Sequence, residues 1–306
     1  MPWFKGNTHT HTLLSDGDSS PSEVATWYRD HGYDFLVLSD HNVYGPLEDL
    51  QAEIDQGPGR LLLIPGEEVS DIFDDGQRVR PLHVNATNTT RLVGPQGGSS
   101  VVEVLRRLIR AVGDAGGIAA VNHPNFRWAV TLDDLMQLEE IDYLEIYNGH
   151  PQVNRLGGGG RPGNEEMWDV LLTEGRRVFG IGVDDAHDFK LWGPQFSNPG
   201  RGWVVVRADD LGAEAITRGL RSGDFHFSTG VDLVDVAADA DGLSLTIGPQ
   251  GDLAFTTAFV GSGGRVLDLQ ASLTPSYALG GGEAYVRARI ESSSGTLAWT
   301  QPAWAM

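Results

Sequence analysis

Six histidines stand at or just beyond the carboxyl ends of short apolar runs, the positions at which strands of α/β enzymes carry catalytic groups. They are His9, His11, His41, His83, His123 and His187. His9 and His11 are two residues apart, so in an extended chain both imidazoles project from the same side. Imidazole nitrogens bind zinc and similar ions at about 2.0 to 2.1 Å. The pattern therefore predicts a metal centre built on histidine.

Acidic residues stand where they would complete such a centre. Asp185 precedes His187 by two residues, and Asp16 and Glu68 follow other apolar runs. A catalytic tetrahedral ion takes only about three protein ligands and a water, so this number of donors predicts two or three ions. A cluster of buried histidines and carboxylates without metal is the alternative, and the cost of burying so many ionisable groups argues against it.

The remaining three histidines are not assigned to the metal centre. His31 at a helix end and His150 in a turn are expected to be solvated, and the role of His226 stays open.

Short apolar runs alternate with amphipathic stretches from residue 1 to about 230, which is typical of parallel strands linked by helices. The predicted strands are 3–8, 35–39, 61–65, 82–85, 118–122, 143–147, 178–183 and 203–207. Segment 65–82 is too polar for a crossover helix, so we expect strand 82–85 to pair antiparallel or to lie outside the main sheet. Seven parallel strands remain, which favours a barrel.

The helices between these strands have recognisable ends. Ser20 and Glu23 form a capping box around Pro21. Asn164 is predicted to cap a later helix, and residues 211–220 are predicted to form another.

The pattern changes after about Val231. Helical spacing disappears, and short alternating strands are separated by glycine-containing turns. We therefore predict an α/β barrel domain over residues 1–230 and a small all-β, sandwich-like domain over residues 231–306.

Composition excludes several classes of protein. The chain has 306 residues, no cysteine and a formal net charge of −20. Without thiolates, any metal must be held by histidine and carboxylate. The negative charge argues against binding of polymeric nucleic acid, which needs a concentrated basic surface. Because the apolar runs are far shorter than the roughly 20 residues of a membrane-spanning helix and no secretory leader is recognisable, we expect a cytoplasmic protein that does not enter a membrane.

Short motifs around these residues occur in a defined order. They are His9-Thr10-His11 with Ser15-Asp16-Gly17, Leu38-Ser39-Asp40-His41, Pro65-Gly66-Glu67-Glu68, Leu82-His83, Asn122-His123-Pro124 and Gly182-Val183-Asp184-Asp185-Ala186-His187. In order and spacing they resemble the motifs of the polymerase and histidinol phosphatase (PHP) superfamily, over roughly residues 4–230. The resemblance implies a distorted seven-stranded β/α barrel, up to three ions of manganese, zinc or iron, and metal-dependent phosphoesterase activity.

The resemblance also implies how the ligands divide among the ions. One ion would take His9, His11, Glu68 and Asp185; a second would take Glu68, His83 and His123; a third would take Asp16, His41 and His187. Of the adjacent Glu67 and Glu68, the motif favours Glu68 as the metal ligand. Asp185 is favoured over Asp184 because it stands two residues before the last histidine. Glu67, Asp184 and Asp40 are then candidates to orient ligand histidines.

The leading interpretation is hydrolysis of a small phosphate ester by a hydroxide that bridges two ions. Arg127, Lys190 or Arg201 would stabilise charge on the phosphoryl oxygens. Asp16 or His187 would deliver a proton to the leaving oxygen if the third ion is absent.

Two other interpretations stay open. Segments 223–230 and 298–302 are similar to a branch of PHP-like hydrolases that includes carbaryl hydrolase, so the same centre would cleave carboxylic or carbamate esters. An apolar pocket for such substrates would be lined by Trp128, Trp192 and Phe196. A metal-binding module without catalysis is the third interpretation, and the intact ligand motifs argue against it. Exposed apolar area on the β-domain would be consistent with a homo-oligomer.

Overall fold

The computed structural model describes residues 1–45 and 47–305, and the fold is mixed α/β with few helices. The helices are α1 (Pro21–Asp30), α2 (Glu48–Ile54), α3 (Val101–Asp114), α4 (Leu132–Met136), α5 (Asn164–Thr173) and α6 (Ala213–Ser222). The first strands are β1 (Trp3–Asn7), β2 (Phe35–Val37), β3 (Leu62–Ile64), β4 (Gly66–Asp74), β5 (Val79–Thr87), β6 (Ile118–Val121), β7 (Tyr143–Asn148), β8 (Phe179–Val183), β9 (Trp203–Arg207) and β10 (Phe225–Ser228). The later strands are β11 (Leu233–Asp239), β12 (Gly242–Ile247), β13 (Phe255–Gly261), β14 (Arg265–Gln270), β15 (Ser276–Ala278), β16 (Tyr285–Ser292), β17 (Leu297–Thr300) and β18 (Ala303–Trp304). None of the described helices is long and apolar enough to cross a membrane.

Local sequence accounts for where the helices begin. Ser20 and Glu23 exchange hydrogen bonds at the start of α1, which confirms the capping box. The predicted cap at Asn164 is wrong, because α5 begins at Asn164 and Gly163 occupies the cap position. Asn164 is fully buried and its amide donates to the backbone carbonyl of Glu145 in β7, so its side chain is not free to cap.

Two sheets carry the N-terminal strands. In a ten-stranded sheet β1, β2 and β3 are parallel neighbours, and β9 pairs antiparallel with β1. In a five-stranded sheet β4, β5 and β6 are antiparallel, and β6, β7 and β8 are parallel. The antiparallel pairing predicted for strand 82–85, which lies within β5, is confirmed. The parallel pairing predicted for strand 203–207 is wrong, because residues 184–202 contain no helix that would return the chain in parallel.

The distorted seven-stranded barrel is confirmed only in part. The described strands do not form a closed barrel, since the chain leaves the larger sheet at Pro65 and begins β4 in the other sheet. Two isolated bridges, Thr10 with Ala186 and His41 with Glu68, join the two sheets. Both bridges include or adjoin the histidine motifs, so the sheets meet where the predicted ligands lie.

The C-terminal strands are hydrogen-bonded to the N-terminal part. β17 pairs with β10 and β16, and β16 pairs with β13, so the larger sheet continues through them. β11, β12 and β15 form a third sheet. Buried side chains from both sheets, among them Leu245, Phe259 and Ile290, form a second hydrophobic cluster. A separate sandwich-like domain is therefore not confirmed, and a boundary at residue 231 remains a prediction.

A buried ionic cluster joins α5 to β16. The guanidinium of Arg287 donates to both oxygens of Asp169, at 2.8 and 2.7 Å, and pairs with Glu165 at 2.8 Å. The Tyr285 hydroxyl also donates to Asp169, at 3.2 Å. The side chain of Arg287 is 1% exposed, so this cluster compensates its charge without solvent.

Candidate metal centre

All nine predicted metal ligands converge on one end of the two sheets. They divide into four overlapping groups whose ligand atoms lie within 4.8 Å of one another. The groups are His11, Asp16, His41 and His187; His9, Glu68 and His123; His9, His11 and Asp185; and His41, Glu68 and His83. Each ligand follows a strand or, for Glu68 and His83, lies on one, so residues far apart in sequence meet because their strands are neighbours.

Two backbone features turn ligands towards this cluster. Asp185, two residues after the end of β8, has a φ of 51°, in the left-handed region that non-glycine residues adopt only at a cost. In the first loop, a Cβ on Gly17 would lie 2.7 Å from the backbone of His11, so only glycine lets the turn bring Asp16 back over the cluster.

Four ligand atoms have the spacing of a tetrahedral metal site. Nε2 of His9 lies 3.3 Å from Oε2 of Glu68 and 3.2 Å from Oδ1 of Asp185. Nε2 of His11 lies 3.2 and 3.4 Å from the same two oxygens. Ligands of a tetrahedral ion held at about 2.1 Å are about 3.4 Å apart. The predicted first ligand set is therefore brought together at the spacing that an ion requires.

The hydrogen bonds of His9 show why a cation fits between these atoms. Its Nδ1 lies 2.6 Å from Oε1 of Glu145, and because the ionised carboxylate only accepts, Nδ1 carries the proton. Nε2 of the neutral ring then presents a lone pair to two carboxylates. Nε2 of His9 and of His11 are buried and make no hydrogen bond. Buried imidazole nitrogens and carboxylate oxygens this close together need protons or a cation between them, and two imidazoles with two carboxylates are a donor set that fits a divalent metal.

The second oxygen of Glu68 faces a second set of ligands. Oε1 lies 2.9 Å from Nδ1 of His83 and 3.2 Å from Nε2 of His123. It also accepts a hydrogen bond of 2.7 Å from the amide of Asn122, which fixes the carboxylate. The two oxygens of one carboxylate thus point to two different groups of imidazoles, the arrangement that a bridging ligand would have.

The third predicted set surrounds Asp16. Its two oxygens lie 3.3 Å from Nε2 of His187 and 3.5 Å from Nε2 of His41. Nδ1 of His187 donates to the backbone carbonyl of Asp185 at 3.0 Å, so Nε2 of the neutral ring presents a lone pair to Asp16. The side chain of Asp16 is 55% exposed, which makes this the most solvent-accessible of the three sets.

Opposite charges outweigh burial inside the cluster. Burial disfavours the charged form of His9, but Asp185 and Glu68 hold the pKa of His9 well above its usual range. Burial likewise favours protonation of Glu68, but His83 and His9 hold the pKa of Glu68 well below its usual range. Metal binding must therefore displace protons from the imidazoles.

Glu145 and Asn148 were not predicted from the sequence. Glu145 bonds Nδ1 of His9 and also accepts from the backbone N–H of His123 at 2.9 Å. The amide of Asn148 donates to Glu145 and to Asp185, each at 3.0 Å. A carboxylate in the middle of the otherwise apolar run 143–147 is the signal that could have revealed Glu145.

The residues predicted to orient ligand histidines act elsewhere. Asp40 accepts from the backbone and hydroxyl of Thr12 and from Ser15, so it holds the first loop. Glu67 accepts from backbone N–H groups at residues 93 and 94. Asp184 accepts from Tyr28 and from backbone N–H groups at residues 201 and 202. Each of the three carboxylates therefore accepts its hydrogen bonds from a loop or from a neighbouring helix.

The ligands border a cleft of about 260 Å³. Its other lining residues are Phe126, Arg127, His150 and Gln152. Arg127, which the sequence predicted as a cation of the site, is among these lining residues, and its side chain is exposed at the rim. The expectation that His150 is solvated is wrong: the ring is partly buried, with its centroid 5.3 Å from that of His187.

Other predicted substrate-contacting residues lie outside the lining of this cleft. The guanidinium of Arg201 donates to the carbonyls of Gly149 and Gly193, and Lys190 donates to the carbonyl of Asp18. The three aromatic residues predicted for an apolar pocket, Trp128, Trp192 and Phe196, are also absent from the described lining. Arg201 and Lys190 thus bond to loop backbone, and the indole of Trp192 donates to the carbonyl of Phe189 at 3.2 Å.

The two histidines that remain lie away from the ligands. His31 is exposed and stacks on Trp27, in agreement with its predicted solvation. His226 is buried on β10 against the edge of Trp3, with the ring centroids 5.0 Å apart. Burial, with a smaller effect of Arg207, lowers the pKa of His226 to about 3.

Comparison with known proteins supports the fold. No family model matches the chain, and no curated protein matches it. Among solved structures, it resembles a two-domain protein from Bacteroides vulgatus that contains a predicted PHP-like metal-dependent phosphoesterase, with a TM-score of 0.53 and 17% identity over 95% of this chain and 90% of the other. At this identity the likeness shows the fold alone.

Two further structures match with lower scores. A proposed metal-dependent phosphoesterase from Bifidobacterium adolescentis is 15% identical, covers 63% of this chain and 89% of its own, and has a TM-score of 0.45. An amidohydrolase from Chromobacterium violaceum with bound sulfate and no metal is 14% identical, covers 63% of this chain and 93% of its own, and has a TM-score of 0.41.

Proposed function

We propose that this protein is a metal-dependent hydrolase that cleaves small phosphate esters with two or three divalent ions, of manganese, zinc or iron. The observation that carries the proposal is Glu68, whose two oxygens face two separate groups of buried imidazoles. Two ions held by the two oxygens of one carboxylate would suit displacement at phosphorus. The fold shared with a protein that contains a predicted PHP-like phosphoesterase supports the same reaction class.

The ions would be held by the three ligand sets around Glu68, Asp185 and Asp16. Bound divalent ions supply a water of lowered pKa and positive charge at the phosphoryl group. The chain supplies the orientation of the ligands: Glu145 fixes the tautomer of His9, and Asn148 holds both Glu145 and Asp185.

Arg127 would bind the substrate at the rim of the cleft. Within residues 1–45 and 47–305 its guanidinium has no ion-pair partner, and it lies over the ring of Phe126 with its carbon 5.4 Å from the centroid. A guanidinium can donate two parallel hydrogen bonds to phosphate oxygens. Arg127 is therefore the cation of this chain placed to stabilise charge on the equatorial oxygens.

Asp16 and His187 would act on the leaving group. Their side chains face each other at 3.3 Å on the exposed side of the cluster. If no third ion is bound, a proton shared by this pair would be available to the departing oxygen. If a third ion is bound, the pair would hold it instead.

The geometry favours a phosphate ester over an aryl carbamate. Hydrolysis of an aryl carbamate would benefit from the apolar pocket predicted around Trp128, Trp192 and Phe196, and these residues do not line the described cleft. The cleft is instead lined by candidate ligands, by the guanidinium of Arg127 and by Phe126, His150 and Gln152. All predicted ligands precede residue 231, so we assign the reaction to residues 1–230 and a supporting role to residues 231–306.

A parallel substrate panel tests this proposal. The chain is freed of metal, reloaded with Mn²⁺ or Zn²⁺, and assayed with para-nitrophenyl phosphate, its phosphodiester and a naphthyl carbamate. We expect metal-dependent turnover of a phosphate ester to exceed that of the carbamate, and no turnover by Glu68→Gln. Turnover of the carbamate alone would replace the proposed substrate class, and equal turnover by Glu68→Gln would remove the site.

A further inference from the structure

His150 borders the cleft but is not a member of any described group that could hold a metal. Its ring lies nearly perpendicular to the ring of His187, at 5.3 Å, and to the ring of Phe126, at 6.3 Å between centroids. The ring is partly buried, so one edge packs in the protein and the other borders the cleft. A histidine in this position can contact a molecule bound in the cleft, unlike a histidine on the open surface.

Hydrogen bonds fix which ring nitrogen of His150 carries the proton. Nδ1 accepts from the backbone N–H of Gln152 at 3.2 Å, so Nδ1 is the unprotonated nitrogen. In the neutral ring the proton is therefore on Nε2. Within residues 1–45 and 47–305, no carboxylate forms an ion pair with His150 and no protein group accepts a hydrogen bond from Nε2. A donor without a protein acceptor is left at the border of the cleft.

The backbone of His150 is held by the network that supports the metal ligands. Its N–H donates to Oδ1 of Asn148 at 2.8 Å. The amide nitrogen of the same Asn148 donates to Glu145 and Asp185. One buried side chain thus fixes His150 relative to a ligand carboxylate, so the donor has a defined position beside the ligands.

We propose that His150 donates a hydrogen bond from Nε2 to a non-bridging oxygen of the phosphoryl group of the substrate. The inference rests on the proposed function and extends it, because His150 and Arg127 together supply two protein donors for a tetrahedral oxyanion. During hydrolysis the oxygen of water forms a bond to phosphorus, and the ester P–O bond breaks with its electron pair leaving on the ester oxygen. That oxygen ends with a proton from the water. His150 donates its hydrogen bond throughout and transfers no proton.

Two substitutions separate the donor from the packing of the ring. In His150→Gln the amide nitrogen reaches the position of Nε2, so a donor is kept. In His150→Asn the amide reaches only the position of Nδ1, so the donor towards the cleft is lost. The probe is inorganic phosphate, whose dissociation constant is measured by calorimetry on the metal-loaded full chain, with metal content measured on the same samples.

We expect His150→Asn to bind phosphate at least about tenfold more weakly, the effect of removing one hydrogen bond to a charged group. We expect His150→Gln to bind within about threefold of the unmodified chain by the same reasoning, and both variants to keep their metal. His31→Asn, at an exposed histidine that stacks on Trp27 and does not line the described cleft, is the matched control and should bind phosphate normally.

Four results would overturn the inference. His150→Asn could bind phosphate as tightly as the unmodified chain, or the Gln and Asn variants could be equally weak, or the unmodified, metal-loaded chain could fail to bind phosphate. Loss of metal from His150→Asn would also overturn it, since the residue would then act through the metal ligands. A chain that binds phosphate but hydrolyses no phosphate ester would refute the proposed function and leave the comparison of the two variants to decide the role of His150.

Discussion

The cluster around Arg287 and the cluster around Glu68 both bury several charged side chains, but they compensate them differently. At Arg287 donors face acceptors, because the guanidinium meets the carboxylates of Asp169 and Glu165 at 2.7 to 2.8 Å. At Glu68 no hydrogen bond joins the facing groups: Nε2 of His9 and of His11 lie 3.2 to 3.4 Å from carboxylate oxygens and have no hydrogen-bond partner among the described residues.

The difference teaches how to distinguish a structural ionic cluster from a metal site. A buried charge is tolerated when a partner of opposite charge and suitable hydrogen bonds accompany it. The cluster at Arg287 has its opposite charges within the chain, on Asp169 and Glu165. In the proposed function the cluster at Glu68 is completed by a bound cation, so the first should respond to mutation through stability and the second through metal content and activity.

The largest expected effect is the loss of activity in Glu68→Gln. The amide cannot bridge two ions, so we expect kcat/KM for a phosphate ester to fall by at least about 10⁴-fold, or more than about 5 kcal/mol. Glu67→Gln is the matched control, because Glu67 bonds to backbone N–H groups away from the imidazoles. It should keep its metal. Equal losses of metal and activity in both variants would show that the choice of Glu68 is wrong.

The second effect tests the other cluster. Arg287→Ala leaves Asp169 buried without its partner, so we expect the free energy of unfolding to fall by about 3 to 5 kcal/mol, as in other broken buried pairs. Urea denaturation measures the change. Metal content per folded chain should stay unchanged, and a variant that loses metal before it loses stability would contradict the separation of the two clusters.

The third effect concerns support of the ligands. Glu145→Gln can still accept from a protonated Nδ1 of His9 but no longer holds it by charge, so we expect metal affinity to fall by about 10- to 100-fold. Competition with a chelator of known affinity measures this. Glu140→Gln, at a carboxylate that pairs with surface arginines, is a suitable control. An unchanged affinity in Glu145→Gln would mean that the hydrogen bond to His9 does not support the site.

The smallest effect is the pH dependence due to His226, a buried histidine that pairs with no carboxylate in residues 1–45 and 47–305. Its pKa is lowered to about 3, so below about pH 6.5 the unfolded chain takes up a proton that the folded chain does not. Stability is therefore lost as the pH falls, by about 2 kcal/mol between pH 7 and 5. Urea denaturation of the chain and of His226→Phe at both pH values measures the difference. An identical pH dependence in the two proteins would contradict this account of His226.

The positions of the candidate metal ligands could be predicted because they depend on local sequence. A histidine or carboxylate at the end of an apolar run lies at a strand end, and the spacing of His9 and His11 fixes their common direction. Glu145 was missed because its role depends on β7, in the five-stranded sheet, facing the segment after β1, in the other sheet, and sequence periodicity does not contain that information. His150 was predicted to be solvated because it stands in a turn beside Pro151. The turn is present, but it borders the cleft, and the sequence does not show this.

The fold was less predictable than the site. Apolar runs located the strands, and polar composition correctly excluded a crossover helix before strand 82–85. The direction of β9 and the pairing of β17 with β10 depend on contacts between distant segments. Periodicity contains no information on such contacts, so it could not show whether the barrel closes or whether the C-terminal strands form a separate domain. A capping residue such as Asn164 fails for the same reason, since a tertiary hydrogen bond takes its side chain.

Metal stoichiometry tests the central claim most directly. The full chain is stripped with a chelator, incubated with Mn²⁺ or Zn²⁺, freed of excess ion and measured by mass spectrometry of its metal content. The arrangement of ligands around both oxygens of Glu68 predicts at least two ions per chain, and a large loss in Glu68→Gln. A folded chain that retains no divalent ion, or that retains the same number without Glu68, would contradict the account.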